Sequence, residues 1–121
     1  MHDRLNAKQI PRGRHQDRYL SFEELAAVER EDIDYRIVVR EVPGASHAVI
    51  TPHGGGIERG TTQIARAIAG DTHHLYLFEG LKPRGNLNAL HITSRRFDEP
   101  RCLELVARSE TVISVHGCGS G

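Results

Sequence analysis

The residues best equipped for chemistry stand in one short stretch, Thr51-Pro52-His53-Gly54-Gly55-Gly56-Ile57-Glu58-Arg59-Gly60, and at one distant position, His116. Consecutive glycines let a backbone fold sharply, so His53 and Glu58 can face one centre. Two imidazoles and a carboxylate form a catalytic zinc set that leaves a fourth position for water. Such an ion activates the water and polarises a scissile carbonyl. Two other readings compete. Gly54, Gly56 and Gly60 also fit GxGxxxG, a relative of the dinucleotide fingerprint, with Glu79 where a ribose-binding acid belongs. Against it, the Glu58 carboxylate would repel a pyrophosphate. The plainer structural reading makes His53 a hydrogen-bonded loop residue, Glu58 an acid at a helix start and His116 a strand-end histidine.

The elements that must position these residues follow from local pattern. Ser21-Phe22-Glu23-Glu24 is a capping box, and Phe22, Leu25, Ala26 and Val28 continue it as a short amphipathic helix ending near Arg30. Tyr35–Arg40 and His47–Thr51 read as strands, the second apolar enough to be central. The glycine loop follows, then a helix capped by Thr61 or Thr62 and closed by Gly70. Leu75–Phe78 reads as a third strand, Lys82–Asn86 as a polar loop and Ala89–Thr93 as a fourth strand. Asp98-Glu99-Pro100 opens another helix, because proline suits the first turn and acids suit the positive end of the dipole. Thr111–Val115 is the fifth strand, with His116 at its carboxyl end. Strands alternating with helices define an α/β class with a mixed, mostly parallel sheet flanked by helices. In such sheets ligands bind at the carboxyl edge, where His53 and His116 both arrive.

Composition sets the outer limits. A length of 121 residues suits one domain. Sixteen basic and sixteen acidic residues cancel, which counts against a protein that coats nucleic acid or a polybasic membrane-surface protein. At 38% hydrophobic residues the core is expected to be thin. No apolar run approaches the roughly 18 residues of a membrane span, and the N-terminus lacks a signal-peptide core. A cytoplasmic protein with two reduced thiols, Cys102 and Cys118, is therefore expected. Residues 1–18 carry five cations against two acids and read as a basic, flexible arm; residues 19–121 form the domain. The ending His116-Gly117-Cys118-Gly119-Ser120-Gly121 reads as a chain stopped partway, so the domain is expected to be incomplete at the C-terminus.

Several motifs together resemble the phage-type poly-γ-glutamate hydrolases, a family often labelled phage-related replication proteins. They are Pro52-His53-Gly54-Gly55-Gly56-Ile57-Glu58 with Gly60-Thr61, Ile68-Ala69-Gly70, Phe78-Glu79-Gly80, Leu90-His91-Ile92-Thr93-Ser94, Phe97-Asp98-Glu99-Pro100 and Ser114-Val115-His116-Gly117. They occur in family order from about Tyr19 to the end of the chain. The resemblance implies a fold related to the zinc carboxypeptidases and a Zn2+-dependent cleavage of γ-glutamyl amide bonds in poly-γ-glutamate. It implies His53, Glu58 and His116 as zinc ligands. It also implies a general base from a later part of the family domain, which no residue of this chain matches.

A polymer of carboxylates calls for cations near the metal, and arginine grips a carboxylate with two parallel hydrogen bonds. Arg95, Arg96 and Arg84 are the candidates for substrate binding, with Lys82 beside them. His91 is expected as a substrate or outer contact or as a buried histidine. Glu79 is expected to orient a ligand imidazole or to sit at the surface. The alternative functions are a truncated or inactive relative that binds metal or polyanion without turnover, and a dinucleotide- or nucleic-acid-binding accessory protein.

Overall fold

The central strands are those whose side chains are apolar on both faces. In the computed structural model, which describes residues 16–117, all seven residues of one strand, His74–Gly80, are buried. It is flanked by His47–Gly55 on one side and Tyr35–Arg40 on the other. We number the strands β1 (Tyr35–Arg40), β2 (His47–Gly55), β3 (His74–Gly80) and β4 (Thr111–Ser114), which lie in the order β1-β3-β2-β4. β1 runs antiparallel to β3, whereas β2, β3 and β4 are mutually parallel. The mixed, mostly parallel α/β sheet expected from the sequence is what the chain forms.

The period-two alternation of β2 and β3 divides the core into two layers. Ala48, Ile50, Tyr76 and Phe78 face one side, together with Leu25, Leu90, Phe97, Cys102 and Leu105. Val49, Leu75 and Leu77 face the other, against Ala65 and Ala69. The helices are α1 (Phe22–Val28), α2 (Thr61–Ala69), α3 (Asn86–Leu90) and α4 (Pro100–Ala107). Residues of α2 line the second layer, and those of the other three line the first. Ser21 caps α1 by accepting from the Glu24 N–H, as its capping box predicts. Among the described residues no helix is long and apolar enough to cross a membrane.

Three local expectations change. The fourth strand at Ala89–Thr93 is absent: the segment forms α3 and then an extended stretch leading to a 3-10 turn at Ser94–Arg96. Gly85, at φ 78°, turns the chain into α3, and Asn86 ties both ends of its amide to the Lys82 backbone. Ala89 and Leu90 then bury as a helical pair rather than as alternate strand positions. Neither Thr61 nor Thr62 caps α2; Gly60 is the cap residue, and both hydroxyls are used elsewhere. β2 also runs on through His53 to Gly55 instead of ending at Thr51. Its register against β3 slips by one residue between Thr51 and Gly54, the position of Pro52, which has no N–H to give the ladder. The resulting bulge re-aims His53. Residues 1–15 of the basic arm, and Cys118, lie outside the described residues.

A buried carboxylate anchors the larger layer. Glu99, 1% exposed, accepts from the Tyr76 hydroxyl at 2.8 Å, the Cys102 N–H at 3.2 Å and Arg101 Nε at 2.9 Å. Burial and that carboxylate push the Tyr76 phenol far above its ordinary range. Burial likewise pushes the Cys102 thiol up to about 12, so it stays protonated. Tyr76→Phe removes one donor from a buried charge, and the expected cost is about 1–3 kcal/mol. It should appear as a lowered urea midpoint with an unchanged denaturant slope; an unshifted midpoint would refute the role given to Glu99.

Candidate metal centre

The bulge delivers His53 to the carboxyl edge of the parallel strands, 3% exposed. A backbone turn closes behind it: the Glu58 N–H donates to the His53 carbonyl at 3.0 Å and the Ile57 N–H to that of Gly54 at 3.1 Å. The Thr61 hydroxyl sits within reach of the His53 and Glu58 carbonyls, at 2.9 and 2.8 Å. These bonds return the chain so that Glu58, five residues on, faces the ring it follows.

The tautomer of His53 is decided by its surroundings. Nε2 lies 2.7 Å from the Ile92 carbonyl oxygen, which can only accept, so Nε2 carries the proton. Nδ1 then points a lone pair at Glu58 Oε1, 3.2 Å away. Two acceptors at that distance need a cation between them, either a proton on Nδ1 or a metal ion. Burial, aided by the neighbouring His91 and His116, lowers the pKa of His53, against the opposing pull of the Ile92 carbonyl and Glu58. A ligand histidine typically donates its other nitrogen in this way.

The third group is one that sequence reasoning left at the margin. His91 stacks on His53 with ring centroids 4.1 Å apart, and its Nε2 lies 4.0 Å from Glu58 Oε2. His53, Glu58 and His91 each offer one ligand atom, all within 4.8 Å of one another, an arrangement able to hold a metal ion. His91 Nδ1 donates to Asp17 Oδ1 at 2.6 Å, and Asp17 Oδ2 accepts the Thr93 N–H and hydroxyl at 2.6 and 2.8 Å. Burial works against the charged form of Asp17, but the bonds from His91 and Thr93 outweigh it and hold the carboxyl below its usual value.

His116 reaches the same edge. Its ring centroid is 5.7 Å from that of His53, and the exposed ring hydrogen-bonds with Ser94 and Ser114 at 3.4 and 3.0 Å. The next residue closes on the centre: the Gly117 N–H donates to Glu58 Oε1 at 2.9 Å. A Cβ at Gly117 would lie 3.2 Å from that of Glu58, so the strand end and the glutamate are in close contact.

The cations divide into two groups. Arg95 and Arg96 lie exposed on the 3-10 turn that follows His91-Ile92-Thr93, and Arg84 is exposed in the loop before α3. Lys82 is committed to Glu29 at 2.8 Å and Asp34 at 3.3 Å. Among the described residues Glu79 orients no imidazole. It is 4% exposed and takes two bonds from Arg36, at 2.9 and 2.7 Å, and one from the Thr62 hydroxyl at 2.8 Å. Thr62 in turn accepts the Gly55 N–H at 2.9 Å. This chain of bonds pins the glycine segment to β3, and it occupies the acid that a ribose would need.

An α/β sheet with a His-Glu-His cluster at its carboxyl edge defines a candidate metal-dependent enzyme. The chain belongs to the poly-gamma-glutamate hydrolase family, which it matches over residues 19–121. It is 48% identical over 102 residues to UPF0714 protein YndL of Bacillus subtilis, covering 84% of this chain and 39% of YndL. It is 42% identical to the SPbeta prophage-derived UPF0714 protein YoqZ, covering 86% of this chain and 36% of that protein. Two solved structures share the fold. A zinc-free form of YndL matches with a TM-score of 0.75 at 47% identity, and a bacteriophage poly-gamma-glutamate hydrolase with 0.76 at 35%. Each alignment covers 82% of this chain and 47% of the other. The chain thus spans less than half the length of the relatives it matches.

Thr62→Val deletes both the acceptor for Gly55 and a donor to buried Glu79. The expected destabilisation is about 1–3 kcal/mol, read as a shift in the urea midpoint. An unshifted midpoint would mean that the glycine segment does not depend on this bridge.

Proposed function

We propose that the chain carries the metal-binding part of a zinc-dependent hydrolase that cleaves γ-glutamyl amide bonds in poly-γ-glutamate. The observation that carries this reading is the pairing of His53 Nδ1 with Glu58 Oε1 at 3.2 Å, beside His91, in a chain of this family. The donor set suits zinc: nitrogen and carboxylate ligands, one imidazole with its proton already committed to a carbonyl. His53 and Glu58 would hold the ion, with His116 as the third ligand that the family resemblance implies. Zinc supplies Lewis-acid activation of a water and of the scissile carbonyl.

The remaining roles belong to the protein. The Gly117 N–H and the His53 turn hold Glu58 in place. Exposed Arg84, Arg95 and Arg96 would engage the carboxylates of the polymer, each with a two-pronged grip. The substrate is a polyanion and the chain as a whole is neutral, so attraction has to come from such local groups.

Metal analysis of protein purified without chelator should find stoichiometric zinc, and His53→Ala should remove it. Zinc-free wild-type protein, or metal content unchanged in His53→Ala, would defeat the proposal. Polymer length gives the second readout. Shortening of poly-γ-glutamate that requires added zinc supports turnover by this chain, whereas zinc uptake with no shortening leaves a binding role.

A further inference from the structure

We propose that Asp17 is a positioning residue for this centre: it holds His91 in the tautomer whose Nε2 lone pair faces Glu58 and His53. The inference deepens the metal reading above and rests on it for the consequence at the ion, though not for the coupling of Asp17 to His91.

The argument is one of donor and acceptor counting. An ionised carboxylate only accepts. Its Oδ1 faces His91 Nδ1 at 2.6 Å, so that nitrogen carries the proton, and in the neutral ring Nε2 carries the lone pair. Nε2 is held 4.0 Å from Glu58 Oε2, within the group of ligand atoms from His53, Glu58 and His91 that could hold a metal ion. Stacking on His53 fixes the plane of the ring, and Asp17 fixes its protonated edge. Meanwhile Oδ2 accepts both the Thr93 N–H and the Thr93 hydroxyl. The same carboxylate therefore anchors the extended stretch whose Ile92 carbonyl sets the tautomer of His53. Both histidines that face Glu58 have their protons directed away from it, one by a carbonyl and one by Asp17.

Asparagine at this position breaks the pattern without changing its shape. It has a single acceptor oxygen where the described residues alone present three donors, one from His91 and two from Thr93. The oxygen therefore turns to Thr93 and the NH2 meets His91 Nδ1. That nitrogen must then accept, and the proton moves to Nε2, where it points at Glu58. The centre loses a lone pair and gains a hydrogen bond that competes for the glutamate.

The test is Asp17→Asn, read in two ways. Long-range 1H–15N correlation on metal-free protein reports the His91 tautomer directly, and calorimetric titration with zinc reports affinity. The expected result is a switch of His91 from Nδ1–H to Nε2–H and a fall in zinc affinity of about 10–100-fold. Asp17→Glu, which restores two acceptors, should return the tautomer, and Thr93→Val, which removes only the hydroxyl, should leave it unchanged. A tautomer that is the same in Asp17→Asn overturns the proposal, as does a switch that leaves zinc affinity intact. If wild-type protein takes up no zinc while the tautomer still switches, the metal reading fails and the positioning of His91 by Asp17 stands.

Discussion

The hydrogen bond from His53 Nε2 to the Ile92 carbonyl is the constraint on which the centre depends. A histidine so deeply buried has few partners to choose from, and a carbonyl oxygen leaves no choice of role. Once Nε2 donates, the neutral ring turns its Nδ1 lone pair toward Glu58. For the bond to form, two distant segments have to meet. The β2 bulge at Pro52 has to swing the ring out of the strand register, and residues 91–93 have to pass as an extended stretch free of any sheet ladder. Had Ala89–Thr93 been a strand, its carbonyls would have been spent on a neighbouring strand.

Four glutamates in and around the core show how the protein separates structure from chemistry. Glu29, Glu79 and Glu99 are almost fully buried, and each is met by hydroxyl, backbone or cationic donors. Such carboxylates are satisfied: they tie the N-terminal segment, the glycine segment and α4 to the sheet. Glu58 is different. It keeps partial exposure, and its oxygens face imidazole nitrogens as well as one backbone N–H. Acceptors that converge on acceptors are unfavourable unless a cation joins them, and this distinguishes the centre from the buried ion pairs around it.

Much of the architecture was legible because it is local. Apolar runs in β2 and β3, the Ser21 capping box and the Glu99-Pro100 helix start all act within a few residues, and each appears as its pattern implies. Ala89–Thr93 was not legible. A short apolar segment fits helix or strand equally well, and the outcome turned on Gly85 in a left-handed conformation and on Asn86 binding Lys82. Thr61 and Thr62 looked like caps because threonine suits that role. Their hydroxyls instead meet backbone groups behind His53 and the distant Glu79.

For the centre itself, the sequence alone offered His53 and Glu58 as side chains that a glycine-rich turn allows to face one centre, beside the dinucleotide-loop and plain structural readings. It also placed His116 at the strand end on the same sheet edge. The tertiary structure decided which nitrogen of His53 faces inward, that Glu79 is a structural anchor, and that His91 stacks beside the pair under the control of Asp17. Those outcomes join residues 39 to 74 positions apart in the chain for the His53 and His91 bonds. No local spacing encodes contacts of that range; they exist only once the packed layers bring the segments within hydrogen-bond reach.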